Sequence, residues 1–87
     1  MNVFTGGSAY NMVRDIADGY IIVSDRTFRG YGPKNFAEFS QEAGRLLTET
    51  RSNQPAVSDT EAIQKRHRRM QRLQQALTIA GHVQSRS

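Results

Sequence analysis

The sequence predicts a mainly α-helical fold, α+β at most. A short N-terminal helix and one or two short strands precede an antiparallel hairpin of two longer amphipathic helices. Three observations predict this. Residues 59–80 contain no Gly or Pro and are rich in Gln, Arg, Leu, Met and Ala, all good helix formers. Residues 34–51 repeat apolar side chains at helical spacing. Tyr20-Ile21-Ile22-Val23-Ser24 is β-branched and aromatic, as strands are.

Residues 1–7 are a short lead-in ending in Thr5-Gly6-Gly7. Ser8 can cap a first helix, 8–19 with its caps, that places Tyr10, Val13 and Ala17 on one side with Met12 and Ile16 beside them. Gly19 suits the left-handed C′ position, and Tyr20 at C″ is expected to pack back onto the helix. Residues 20–31 form the extended region, with Tyr20–Ser24 as one strand and Thr27–Tyr31 as a second. Asp25-Arg26 lacks the Gly or Asn of a tight hairpin turn, so one continuous extended segment is the alternative.

Pro33 opens helix 2, 33–51, because its fixed φ and missing N–H suit a first turn. Phe36, Phe39, Ala43, Leu46 and Leu47 make its apolar stripe, and Glu38, Glu42, Arg45 and Glu49 lie opposite. Residues 52–57 are the turn. Helix 3 spans 58–83, with Ser58 as N-cap and Glu61 completing a capping box. Residues 84–87 are expected to fray.

Helix 3 organises the chain. Ile63, Met70, Leu73, Leu77 and Ala80 follow a heptad-like spacing, a seam for an oligomer or a partner. Lys65, Arg68, Arg69 and Arg72 project to the other side. Arg66 projects into the apolar stripe, where a charge must snorkel or pair, so it is expected to meet the carboxylate of Glu38 or Glu42.

The 87 residues fit one small domain. Apolar content is 37% with no Trp, thin for a chain of this size, so a homo-oligomer or obligate partner is expected. The absence of Cys excludes disulfides and zinc–thiolate sites. The first residues show no secretory signal and no run is long enough for a membrane span, which makes the cytoplasm the expected compartment. Charge is uneven. Residues 61–87 hold six bases against Glu61 alone, net +5, whereas residues 1–60 hold six bases and seven acids, net −1. A near-neutral body with a cationic arm points to an anionic partner.

The leading function is therefore a non-enzymatic, regulatory binding module. Lys65, Arg66, His67, Arg68, Arg69 and Arg72 would meet nucleic acid, or else an acidic protein surface. One version pairs Tyr20–Ser24 across a two-fold to enter a groove. The alternative is a protein-interaction module, a small regulator, inhibitor or assembly subunit of the size some viruses encode, using the seam of the same helix. Gly6-Gly7-Ser8 is a candidate anion nest, and Asp15 with Asp18 a candidate carboxylate pair. His67 and His82 lie fifteen residues apart on one helix, too far to share a metal. No catalytic set, metal site, cofactor or small-molecule ligand is expected.

Overall fold

A computed structural model describes residues 3–86 of the chain. Met1 and Asn2 of the lead-in, and Ser87 of the tail, lie outside the described residues. The fold is mainly helical. It comprises α1 (Ala9–Ala17), a 3₁₀ turn (Asp25–Phe28), α2 (Pro33–Ser52) and α3 (Thr60–Arg86). Its dimensions are 45 × 24 × 19 Å. Among the described residues no helix is long and apolar enough to cross a membrane.

Helix α1 starts where the Ser8 side chain accepts the Asn11 backbone N–H at 3.1 Å. It stops in a Schellman motif: Tyr20 N–H donates to Asp15 C=O and Gly19 N–H to Ile16 C=O, with Gly19 at φ 84°. The expected apolar closure of that motif is not made by Tyr20, which is 81% exposed. Ile21 packs against the core instead.

The described residues contain no strand. Tyr20–Ser24 runs alone with no second strand beside it, and hairpin formation from Asp25-Arg26 is disfavoured by its turn chemistry. Those two residues enter the 3₁₀ turn. It is fixed by Thr27, whose N–H donates to Ser24 C=O and whose Oγ1 accepts Ser24 N–H at 2.9 Å. The second expected strand is lost because Phe28 is drawn into the core, 5.0 Å from the Phe39 ring centroid in an edge-to-face pair.

Helix α2 opens on Pro33 and buries Phe36, Phe39, Ala43, Leu46, Leu47 and Thr50. The loop 53–59 reverses the chain, and α3 packs back along α2. The N-cap of α3 is Asp59 rather than Ser58: its Oδ1 accepts Ala62 N–H at 3.1 Å, and its carbonyl accepts Ile63 N–H. Nor does the helix fray at residue 84. It continues to Arg86, which pairs with Asp25 of the 3₁₀ turn.

Met12, Val13 and Ile16 of α1, the α2 stripe, and Leu73, Ala76 and Ala80 of α3 form one core. Phe4 of the lead-in and Phe28 join it, with Tyr31 half-buried among Phe4, Phe28 and Phe36. The fully buried residues of α3 begin at Leu73, and Met70 before them packs against the core.

Candidate functional site

Rotation of α3 decides which of its cations are available. Helical spacing of ~100° per residue puts Arg66, Arg69 and Arg72, three apart, on adjoining parts of one side. In the structure that side looks inward. Arg66 Nε donates to Thr50 C=O at 3.1 Å and its terminal Nη2 to Arg51 C=O at 3.0 Å. These are carbonyls of the last turn of α2, which have no partner further along the helix. The guanidinium satisfies two of them and sits at the negative end of the α2 dipole. Neither Glu38 nor Glu42 meets Arg66. Glu42 lies 3.5 Å from Arg45 on its own helix.

The end of α1 is closed in the same way. Arg69 pairs with the Asp18 carboxylate, leaving the arginine side chain 21% exposed. Arg72 Nη1 donates to Ala17 C=O at 3.0 Å. Asp18 is thus the ion-pair partner of Arg69. Three of the six residues expected to meet an anionic partner hold the chain's own helices together. An added charge on α3 was legible in the sequence. Its destination was not, because helix C-terminal carbonyls become acceptors for a distant arginine only once the helices pack.

The other three, Lys65, His67 and Arg68, are exposed. The seam is largely internal: Leu73 and Ala80 are buried, Met70 and Leu77 pack against the core, and Ile63 is 39% exposed. Ala76, buried beside them, follows the same face and was missed because its small side chain gives a weak hydropathy signal.

The solvent face of α3 shows a pattern that charge counting overlooked. Gln64, Arg68, Gln71, Gln75 and His82 are all exposed and spaced at four, three, four and seven residues, one continuous stripe. His67 lies alongside it. From Ala62 to Arg86 the helix contains no Asp or Glu. The stripe offers amides, an imidazole and a guanidinium, able to donate and accept hydrogen bonds, with no carboxylate to repel a phosphate.

At the start of α1, Gly6 and Gly7 have φ of 91° and 97°, and Asn11 Nδ2 donates to Gly6 C=O at 3.2 Å. This is a capped turn. Tyr31 donates its O–H to the Met12 sulfur at 3.1 Å, and burial pushes its pKa up to about 12.

Comparison with known proteins adds no family. The chain matches no family model, no curated protein and no solved structure at a significant level. Its function is argued from its own surface.

Proposed function

We propose that this chain is a nucleic-acid-binding module that presents the solvent face of α3. The observation that carries the reading is the carboxylate-free stripe Gln64, Arg68, Gln71, Gln75 and His82 on a long rigid helix. An α-helix fits the major groove of a duplex, where Gln pairs with adenine edges. Lys65 and Arg68 would contact phosphates and set the helix on the backbone.

The competing reading, a protein-interaction module docking through the Ile63–Ala80 seam, has less support. Leu73 and Ala80 already lie in the chain's own core.

The test is a titration of the chain against a short DNA duplex over a range of salt concentrations. Two phosphate contacts predict a slope of log affinity on log salt of about −2. Changing Lys65 and Arg68 together to Gln should flatten it towards zero while leaving the helical circular-dichroism spectrum intact. No binding at low salt, or a slope indifferent to both residues, would reject the reading.

A further inference from the structure

The last turn of α2 and the first turns of α3 border a cleft of about 230 Å³. Its polar lining is Glu49, Thr50 and Asn53 from the end of α2, and Lys65, Arg66 and Arg69 from α3. Residues three and four apart on a helix share a face, which is why three cations converge there. Glu49 is the one carboxylate among the described lining residues, and it stands 3.8 Å from Arg14 of α1. Arg69 pairs with Asp18. With these partners included, four cations stand against two carboxylates, a surplus of two positive charges. The donors are held in place and are not used up. Arg66 gives Nε and Nη2 to the carbonyls of Thr50 and Arg51, which leaves its Nη1. Arg69 gives Nη1 to Asp18, which leaves its Nε and Nη2. Lys65 makes no hydrogen bond or ion pair to a described residue. Both guanidiniums are half-buried, where salt screens a charge less than on open surface. Their existing partners fix them, so little side-chain freedom is lost when a ligand binds.

We propose that this cleft binds the dianion of a phosphate monoester. Such a group carries close to two negative charges near neutral pH, which matches the surplus, and its three terminal oxygens are strong acceptors. The remaining N–H groups of Arg66 and Arg69 donate to those oxygens, as guanidinium groups do to phosphate, and Lys65 adds a point charge. Asn53 supplies an uncharged amide donor at the rim. The cavity is smaller than the roughly 300–1,000 Å³ of a drug-sized site, so it takes the phosphoryl group and little of what carries it. An internal phosphodiester of a nucleic-acid strand carries one charge and is substituted on two sides, so it fits less well. The proposal does not depend on the nucleic-acid reading, because Arg68 and the glutamine stripe do not line the cleft.

The test titrates the full chain with methyl phosphate and, separately, with dimethyl phosphate at one fixed ionic strength. Amide nuclear magnetic resonance shifts at Ala62, Lys65, Arg66 and Arg69 are the readout. Methyl phosphate should give saturable shifts and bind at least about fivefold more tightly than the singly charged diester, since charge-assisted hydrogen bonds scale with the anion's charge. Lys65→Gln should weaken methyl phosphate at least about fivefold, by loss of one cation from the cleft. Ala62 lines the cleft and is only half-buried, so Ala62→Glu sets a carboxylate there in a good helix former and should abolish binding. Lys34→Gln removes one positive charge from an exposed site outside the cleft and should bind as wild type does. Circular dichroism checks that each variant stays helical. A short DNA strand with and without a 5′-phosphate separates the sources of the ligand. Tighter binding of the phosphorylated strand assigns the site to a nucleic-acid end, and equal binding assigns it to a small phosphate ester. No saturable shift, equal affinity for the two esters, or equal weakening by Lys65→Gln and Lys34→Gln would overturn the proposal.

Discussion

The guanidinium of Arg72 lies across the Cα of Gly19, so close that a Cβ on Gly19 would stand 3.1 Å from its Cζ. The same guanidinium donates to Ala17 C=O. Two requirements meet at Gly19: a φ of 84°, which ends α1, and room for the side chain that seals that end. Residues 53 positions apart in the chain are thereby joined at one helix terminus.

Gly19→Ala should lower stability by about 1–2 kcal/mol, from backbone strain and the displaced guanidinium. Urea unfolding of Gly19→Ala, Arg72→Ala and the double variant separates the two causes. The Gly19→Ala penalty should shrink when Arg72 is already Ala, leaving the backbone term alone. Equal penalties in both backgrounds would show that the contact contributes nothing.

Arg66 and Arg68 are two residues apart and should behave differently. Arg66→Ala removes both N–H donors from the last turn of α2 and should cost about 1–3 kcal/mol in chemical denaturation. Arg66→Lys should recover only part of this, because a single ammonium does not reproduce the guanidinium fork. Arg68→Ala, on the exposed face, should change stability by less than about 0.5 kcal/mol. Matching losses at the two positions would contradict the capping role.

Tyr31 should make the fold sensitive to strong alkali. Burial raises its pKa from 10.0 to about 12, so the unfolded chain loses this proton first. The contribution is present in full below pH 10 and is lost as the pH rises through 12. Ultraviolet titration of the phenolates should resolve one late step that disappears in Tyr31→Phe. In that variant the fall in stability between pH 10 and 12 should also be smaller. A titration unchanged by Tyr31→Phe would refute the assignment.

The stripe of α2 was legible from its spacing, and all five of its apolar residues are buried. The start and end of α1 were legible from Ser8 and Gly19, because caps are local devices. Tyr20–Ser24 shows where local reading stops. Its β-branched pattern announced a strand, but the chain bends at Tyr20 and Ile21 and enters the 3₁₀ turn at Asp25, and among the described residues no partner backbone lies beside it. Tyr10 is a milder case. It shares the helical face of Val13 by spacing, yet it is half-exposed, with the Arg14 guanidinium 4.4 Å from its ring centroid.

By itself the sequence determined what depends on neighbours along the chain: three helical segments, most of their caps and apolar faces, and a concentration of positive charge in the last 27 residues. Tertiary structure alone decided which charges are available. An arginine side chain reaches several ångströms and finds whichever acceptor packing brings near. For Arg66, Arg69 and Arg72 these are the termini of α1 and α2. Lys65, His67 and Arg68 remain on the surface. Hydropathy and charge along the sequence assign a face to each residue, and only the docking of α3 on two helix ends determines which cations are left for a partner.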